Sequence, residues 1–385
     1  MYLEKLNCNT PCVALDDMIL TTDTKTTAGS KMLANYTSLF EAEVVTKLKN
    51  AGYGIAGKIN VGEFGIDFLG ETSHFGACDK DGKLVGATAC VMPDVNAVVG
   101  LDVNGAERRG AVLNDLTNLK PTYGTVSRFG TIPVVCSGET VSITGKCPNC
   151  VEKVLKVVIG HDDKDGTSHR VEDFAKLDTA KEIKKVCCVK ALLDKTDSKM
   201  QEKIQETIAK MQEKGVEVEV IDGKELLLAK PAWNALMCAE LCNNVSRYDG
   251  IKFGHRAKGY KNIDELYTFS RTEGFGELLK TAILYGSECL ATENYMKVYD
   301  KALRIRRVIV EYFAKLFDSF DAVIMPAVSK TEYTVDSAKE KAFVENVFTA
   351  PASITGLPAV TTKGVQIVGS AFSDYRLLDF AKKIM

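Results

Sequence analysis

The stretch FEAEVVTKLKNAGYGIAGKI, residues 40–59, contains the unit from which the fold of this chain is predicted. Its first half places Val44 and Leu48 on one helical face, and Gly52 stands where a glycine commonly ends a helix. A strand is predicted directly afterwards, over Gly54–Ile59. A helix that leads at once into a strand is the repeating unit of layered α/β folds.

The same succession recurs towards the C-terminus. An amphipathic helix is predicted over Lys199–Lys214, followed by a strand over Val216–Ile221. A second long helix, Arg304–Phe320, leads into the apolar strand Asp321–Val328, and a helix over Tyr375–Met385 closes the chain. This pattern predicts an α/β fold with a mainly parallel sheet that is covered by helices.

Composition and charge narrow the class of protein. The chain has 385 residues, of which 45% are apolar and 26% charged, and its net charge is −2. That charge gives no basic surface for direct nucleic-acid binding, and no apolar run approaches the roughly 18–20 residues that span a bilayer. The N-terminus, residues 1–10, lacks the pattern of a signal peptide. We therefore expect a cytoplasmic globular protein with one domain over 1–385 and, within it, a peripheral subregion at 171–227.

Twelve cysteines raise the question of metals and disulfides. One close pair has ligand spacing, Cys147-Pro148-Asn149-Cys150, and no second such pair lies nearby. A four-ligand zinc site needs two such pairs or suitable histidines, and the chain has four histidines in all. We expect buried, reduced thiols, no metal and no other cofactor, as is usual in a reducing compartment. A redox or metal role for Cys147 and Cys150 stays open.

Several motifs are more specific than this pattern, and they follow one another in a single register from about Val13 onward. The N-terminal set is TTAGSKMLANY (26–36), GKIN (57–60), ETSHFG (71–76), KPTYG (120–124), VSRFG (126–130) and GHD (160–162). The C-terminal set is SRYDG (246–250), RTEGFG (271–276), FTAPA (348–352), GLPA (356–359) and VQIVG (365–369). In these motifs the chain resembles the amidase signature family, and within it most closely the A subunits of glutamyl/aspartyl-tRNA amidotransferases.

The resemblance implies both a fold and a chemistry. The fold is the amidase signature fold, a large twisted mixed sheet covered by helices on both faces. Members hydrolyse amides with a lysine, a cis-serine and a nucleophilic serine, because a serine hydroxyl is a poor nucleophile until a neighbouring base takes its proton. Backbone N–H groups in a glycine-rich turn stabilise the oxyanion of the tetrahedral intermediate.

All three positions of this triad are changed here. The family's lysine precedes Asp-Asn in the first strand region, where this chain has Asp16. The nucleophile ends a Gly-Ser-Asp-Thr-Gly-Gly-Ser turn, which reads GLDVNGA (100–106), so Ala106 stands in its place. The family's spacing puts the cis-serine at Gly82, within DGKLVG (81–86). The resemblance therefore predicts that no catalytic residue remains and that activity is lost as a unit.

Polar positions around the lost triad have two interpretations. Asn104 replaces a glycine of the turn, and Glu107, Arg108 and Arg109 bring charge to the residues that follow it. The family's retained polar positions are interpreted either as packing residues or as a remnant pocket or partner surface. The binding residues of such a remnant pocket would be Asp102, Gly105, Arg128, Tyr248, Asp249, Arg271 and Glu273.

A replacement nucleophile is the alternative to a dead site. Cys78, Cys90 and Cys136 lie in segments that border the family's site, and a cysteine of low pKa would be a potent nucleophile. His74 and His161 are bases by residue type. We expect buried cysteines and solvated or capping histidines instead.

Three functions follow as hypotheses. The first is a catalytically inactive paralogue of the amidotransferase's A-type chain, acting as a scaffold or regulatory partner of chains that resemble the B and C subunits. The second is an enzyme that still hydrolyses an amide such as glutamine through an unrecognised nucleophile. The third is a module that binds a small amide or amino acid without turning it over.

Overall fold

The computed structural model describes residues 1–8, 11–177 and 181–385. Residues 9–10, in the segment inspected for a signal peptide, and 178–180, inside the expected subregion, lie outside this description. Eleven of the described strands form one sheet, in the order β1-β3-β2-β6-β8-β7-β12-β13-β11-β9-β10, while β4 and β5 form a separate hairpin. The strands are β1 (Tyr2–Lys5), β2 (Cys12–Asp16), β3 (Gly54–Ile59), β4 (Asp79–Lys80), β5 (Lys83–Leu84), β6 (Ala97–Asp102), β7 (Thr117–Lys120), β8 (Thr140–Gly145), β9 (Lys185–Val189), β10 (Glu217–Ile221), β11 (Ala322–Met325), β12 (Ala359–Thr362) and β13 (Val365–Val368).

The directions of the strands confirm a mixed sheet and correct the expectation of a mainly parallel one. Parallel pairs lie towards the two ends of the sheet, where β2 pairs with β3 and β6, and β9 pairs with β10 and β11. The middle of the sheet is antiparallel from β6 through β8, β7, β12 and β13 to β11. One cause is the tight turn Lys363-Gly364, both residues at positive φ, which joins β12 to β13 as a hairpin.

Helices surround this sheet. The described α-helices are α1 (Glu43–Asn50), α2 (Ala87–Val91), α3 (Ala106–Leu113), α4 (Pro148–Val158), α5 (Lys190–Leu193), α6 (Ser198–Glu213), α7 (Ala229–Val245), α8 (Ile263–Gly274), α9 (Glu277–Leu290), α10 (Tyr299–Ser319), α11 (Val335–Ala338), α12 (Ala342–Glu345), α13 (Ala350–Thr355) and α14 (Asp374–Ile384). No helix in this part of the chain is both long and apolar enough to cross a membrane.

The helix-to-strand units predicted from the sequence are confirmed. The helix α1 buries Val44 and Leu48, and the strand β3 has the predicted bounds. The predicted helices at 199–214, 304–320 and 375–385 correspond to α6, α10 and α14, and the predicted strands at 216–221 and 321–328 to β10 and β11. Apolar periodicity locates these elements well because each buries one continuous face.

One cysteine pair departs from the expectation of reduced thiols. Cys8 and Cys12 form a disulfide, with Cα atoms 6.1 Å apart. The expectation was wrong for this pair, because the approach of Cys8 to the first residue of β2 brings the two Cα atoms within the range that a disulfide spans.

The parallel trio of β2, β3 and β6 determines where the candidate site lies. Asp16 ends β2, Asn60 follows β3, and Asp102 ends β6 before the turn into α3. The carboxyl ends of neighbouring parallel strands meet at the same edge of a sheet, which is where open α/β sheets commonly place their ligands.

Candidate functional site

A small cavity lies at this edge of the sheet. Its volume is about 40 Å³. A single water needs roughly 10–15 Å³ by this measure, so the cavity accommodates a few waters but no amino-acid amide. Both Asp16 and Ala106 line it, so the structure brings together two of the three triad positions. The other polar side chains around it are Asn60, Asp67, Thr88 and Glu107.

Asp16, at the lysine position, is held by backbone groups. Its carboxylate accepts the N–H of Met18 at 2.9 Å and that of Leu101 at 2.5 Å. The nearby ammonium of Lys58 donates to the backbone carbonyl oxygens of Asp16, at 3.1 Å, and of Ile19. Burial raises the pKa of the Asp16 carboxyl to about 6. This group therefore anchors the turn between β2 and the next segment, and it supplies no cation to the cavity.

A second carboxyl faces the cavity one residue beyond Ala106. Glu107 Oε2 accepts a hydrogen bond from Thr88 Oγ1 at 3.0 Å and lies 3.4 Å from Thr144 Oγ1. Burial, followed by the charge of Asp16, raises the pKa of Glu107 to about 7. The cavity thus has two titratable acids where the family has a lysine and two serines.

The third triad position lies elsewhere. Gly82 is exposed at the tip of the β4–β5 hairpin, where Lys80 and Lys83 pair. The segment that reaches the cavity is Val85–Thr88, a few residues further along the chain. Counting by the family's spacing identified the wrong residue, because the hairpin changes the path of the chain at this point.

The former oxyanion turn is occupied by an asparagine side chain. Asn104 Nδ2 donates to the carbonyl oxygens of Ile66 at 2.8 Å and Ala342 at 3.1 Å. Its Oδ1 accepts from Trp233 Nε1 at 3.1 Å and from Asn346 Nδ2 at 3.3 Å. Every polar atom of the Asn104 side chain is therefore engaged in holding the turn to α7 and α12.

The same turn is fixed by glycine at its last position. Gly105 has φ +90°, a left-handed conformation, and a Cβ there would come within 2.5 Å of Thr349. Trp233 uses a second glycine, since its ring lies 2.4 Å from where a Cβ of Gly138 would stand. The indole thus occupies space in the segment that replaces the family's substrate-side motif.

Two arginines of α3 are fully buried and pair inside the protein. Arg108 binds Asp102 through two hydrogen bonds, of 2.8 and 3.0 Å, and also reaches Gln366 and Ser353. Burial alone would raise the pKa of Asp102, but the Arg108 guanidinium outweighs it and holds that pKa below its ordinary value. This pair ties the end of β6 to α13 and β13.

Arg109 binds carbonyl oxygens around the turn. It donates to the carbonyl oxygens of Phe68 at 2.8 Å, Asn104 at 2.8 Å and Asp67 at 3.0 Å. The charge that the sequence places after the turn is therefore directed into the interior.

Arg128 lies in a separate cluster. Its guanidinium pairs with Glu139 at 3.0 Å and donates to the hydroxyls of Tyr123 and Thr167, each at 3.1 Å. Glu139 in turn accepts two backbone N–H groups at the end of the preceding loop. This contact joins two of the family's landmark segments to each other.

The four remaining pocket candidates form a third group, around the connection from α7 to α8. Tyr248 is buried against Phe64, with ring centroids 5.5 Å apart, while Asp249 caps a turn through its side chain. Arg271 Nη1 donates to the carbonyl oxygen of Tyr248 at 2.9 Å, and Glu273 accepts from His255 at 2.7 Å. In the described ranges none of the seven pocket candidates lines the cavity, and their role in ligand binding stays a prediction.

An open groove next to this group is the larger concave surface. It measures about 620 Å³ and is lined by the aromatic rings of Tyr36 and Phe253. The cationic or titratable side chains along it are Lys31, His74 and His255. It is large enough for a small ligand, and it gives the hypothesis of a binding module a definite location.

The alternative nucleophiles do not reach the cavity. Cys78 is buried and hydrogen-bonds to the exposed Cys90, which lowers the pKa of the Cys90 thiol to about 6. Cys136 accepts a long hydrogen bond from Asn244 at 3.6 Å. His161 pairs with Asp163 on the surface, as a solvated histidine would. Within the described residues none of these cysteines or histidines lines the cavity.

Comparisons with known proteins agree with this architecture. The profile of the Amidase family matches residues 12–80 and 82–378. The A chain of glutamyl-tRNA(Gln) amidotransferase from Lactobacillus acidophilus is 31% identical, over 96% of this chain and 83% of its own length. The protein of the same name from Legionella pneumophila is 32% identical, over 96% and 82%. The crystal structure of its namesake from Thermotoga maritima has a TM-score of 0.81 at 24% identity, covering 100% of this chain and 86% of the other.

The chain therefore belongs to the amidase family. Within that family it is close to the A subunits of glutamyl-tRNA(Gln) amidotransferases, at 31% identity over most of its length. Both the resemblance and the fold expected from it are confirmed.

Proposed function

We propose that this chain is a member of the amidase family that does not hydrolyse amides, and that it acts as a scaffold or regulatory component in a tRNA-dependent amidotransferase assembly. The observation that carries the proposal is the side chain at the nucleophile position. Ala106 begins α3 at the cavity, beside the left-handed Gly105, and its methyl group has no atom that can attack a carbonyl.

The surroundings of Ala106 support the same conclusion. An oxyanion needs hydrogen-bond donors or positive charge where negative charge develops. This cavity presents the carboxyls of Asp16 and Glu107 instead, and its volume of about 40 Å³ is too small for glutamine. Both features disfavour amide hydrolysis independently of the missing serine.

The role in an assembly rests on the relatives and on one exposed surface. The curated relatives are named as the A subunits of an amidotransferase, so we expect partners that resemble the B and C subunits. Along α9 and the connection to α10, Leu284 is 72% exposed, Met296 61% and Tyr285 44%. Exposed large apolar side chains on neighbouring helices are typical of protein interfaces. We assign this surface, termed the α9 surface, to the B-like partner.

Copurification tests the assembly. The chain is coexpressed with tagged B-like and C-like partners from the same host, and recovery of a stoichiometric complex is expected. Leu284→Asp should reduce recovery at least several-fold, since it places a carboxylate in an apolar contact. Leu39→Asp is the matched control, because Leu39 is 96% exposed and lies outside the α9 surface. No recovery of either partner contradicts the assembly, while an equal loss in both variants contradicts the surface.

Ammonia release tests the absence of hydrolysis. The purified chain, alone and with the two partners, is incubated with glutamine and with asparagine. We expect no release above a heat-denatured sample. Release that copurifies with the chain and disappears in a variant of its cavity residues would overturn the proposal.

One arrangement favours a second candidate, hydrolysis through a new nucleophile. Thr88 is the one hydroxyl-bearing side chain that lines the cavity in the described ranges, and it donates to Glu107 at 3.0 Å. A carboxylate with a pKa of about 7 is suited to act as a general base near neutral pH. Thr88→Val removes the hydroxyl at nearly constant shape, and Glu107→Gln removes the base. Activity that is lost in both variants, and kept in Cys90→Ser, would support this candidate over the first.

A further inference from the structure

A pair of cysteines begins the helix α4, away from the cavity. Cys147 is the residue before the helix and Cys150 lies in its first turn, with Pro148 as the first helical residue. Their sulfur atoms are 3.1 Å apart. We propose that Cys147 and Cys150 form a redox-active dithiol, which exchanges with small-molecule disulfides and closes into an intramolecular disulfide.

The backbone places the two sulfurs together. The N–H of Cys150 donates to the carbonyl oxygen of Cys147 at 3.0 Å, and that of Val151 donates to it at 3.3 Å. Gly145, at the end of β8, leaves room for this turn, because a Cβ there would stand 3.0 Å from Cys150 Cβ. A disulfide bond is about 2.05 Å long, so small side-chain rotations suffice to close the remaining gap.

The electrostatics give the two thiols different roles. A helix N-terminus favours a thiolate, and Cys147 stands at the start of an eleven-residue helix. Burial raises the pKa of Cys150, and its hydrogen bond with Cys147 raises it further, so Cys150 keeps its proton. Both side chains are half-exposed, which lets a small disulfide reach them. Cys147 is therefore the attacking thiol and Cys150 the resolving one.

Metal binding does not account for the pair. A structural zinc site needs four ligands. In residues 1–8, 11–177 and 181–385, no group of three or more histidine, cysteine or acidic side chains is placed to hold a metal ion. Two thiols without further ligands have the composition of a dithiol and disulfide couple.

The exchange balances with glutathione disulfide as the oxidant. The thiolate of Cys147 attacks one sulfur of that disulfide, its S–S bond breaks, and one glutathione thiolate leaves. Cys150 then loses its proton to solvent and attacks Cys147 Sγ, which releases the second glutathione thiolate. The protein loses two electrons and two protons, and one glutathione disulfide is reduced to two thiols.

The test uses the folded, full-length chain in glutathione buffers of increasing oxidised fraction, followed by acid quench, alkylation and trypsin. Cleavage after Lys146 and Lys153 yields the peptide 147–153, which contains both cysteines and no other. We expect this peptide to become lighter by two hydrogens and to resist alkylation. In Cys150→Ser, a glutathione adduct on Cys147 should accumulate about ten-fold above the unmodified chain, because the resolving thiol is missing.

The exposed Cys90 serves as the internal reference, since its peptide is separate and its thiol is reactive. A peptide 147–153 that stays fully alkylated, or that carries two glutathiones, in buffers that already modify Cys90 would overturn the proposal. Cys242→Ser is the matched control, because it removes a half-buried thiol from another helix and should leave closure of the pair unchanged.

Discussion

The turn that ends at Ala106 and the turn at Lys120–Gly124 represent opposite outcomes in the same sheet. In the second turn the family's residues are kept, and Thr122 holds Asp374 through its N–H at 2.7 Å and its hydroxyl at 2.6 Å. The N–H of Tyr123 donates to the carbonyl oxygen of Gly356 at 2.9 Å. These contacts join two chain segments that lie far apart in sequence.

In the Ala106 turn the residues needed for chemistry are gone, yet the buried polar groups are again satisfied. Asn104 bonds four partners, Arg109 binds three carbonyl oxygens, and Arg108 keeps its pair with Asp102. A buried polar group without a partner costs free energy whatever the activity of the protein. The comparison indicates that the turn lost its chemistry and acquired a structural role, so substitutions there should affect stability more than activity.

The largest effect is expected at the buried ion pair. Arg108→Met leaves the carboxylate of Asp102 buried without its partner and should lower the free energy of unfolding by about 3–5 kcal/mol. Urea denaturation followed by the fluorescence of Trp233, the one tryptophan of the chain, measures it. Arg307→Met is the control, because Arg307 and Glu311 form an exposed pair on α10 that should contribute at most about 1 kcal/mol. Equal losses in the two variants would contradict the structural role of the pair.

Restoring the family's glycine at the turn should have the next largest effect. Asn104→Gly removes the partners of Trp233 Nε1 and of two carbonyl oxygens, and each unsatisfied buried group costs about 1–3 kcal/mol. We expect a loss of about 2–3 kcal/mol in the free energy of unfolding, together with a shifted Trp233 emission in the folded state. Unchanged emission and unchanged stability would show that Asn104 does not support the turn.

The acidic cavity predicts a pH dependence. The pKa of Glu107 is about 7 in the fold against an ordinary value of 4.5, so the stability that its proton confers is complete below about pH 4.5 and is lost as the pH rises through about 7. Between pH 5 and 8 the unmodified chain should lose about 2 kcal/mol more than Glu107→Gln. Asp16, Glu63 and Glu71, whose pKa values are also raised by burial, should keep a residual slope in the variant. Parallel profiles would contradict the assignment to Glu107.

How much of this could be predicted from the sequence depends on the distance between partners. Helix α1 and strand β3 were predictable because their apolar residues repeat within a few positions. The antiparallel centre of the sheet was not, because β7 and β12 lie more than two hundred positions apart and their own sequences do not encode the direction of pairing.

The candidate site divides in the same way. Asp16 and Ala106 were found through motifs whose local spacing is kept, whereas the hairpin at 79–84 altered the spacing and placed Gly82 outside the cavity. Trp233 was missed as a partner of the turn because 129 positions separate it from Asn104. Its one available signal was that it is the single tryptophan, which gives a residue type without a location.

The smallest effect is expected for the substitution that restores the nucleophile itself. Ala106→Ser adds a hydroxyl at the first residue of α3, where serine is tolerated, so the free energy of unfolding should change by about 0.5 kcal/mol or less. Ammonia release from glutamine should remain at the background rate. The carboxyl of Asp16 is occupied by two backbone N–H groups, Glu107 is occupied by Thr88, and the turn's geometry is fixed by Asn104. A serine that became active in these surroundings would show that the rest of the site had kept its catalytic geometry, and the contrast between the two turns would then reduce to a single methyl group.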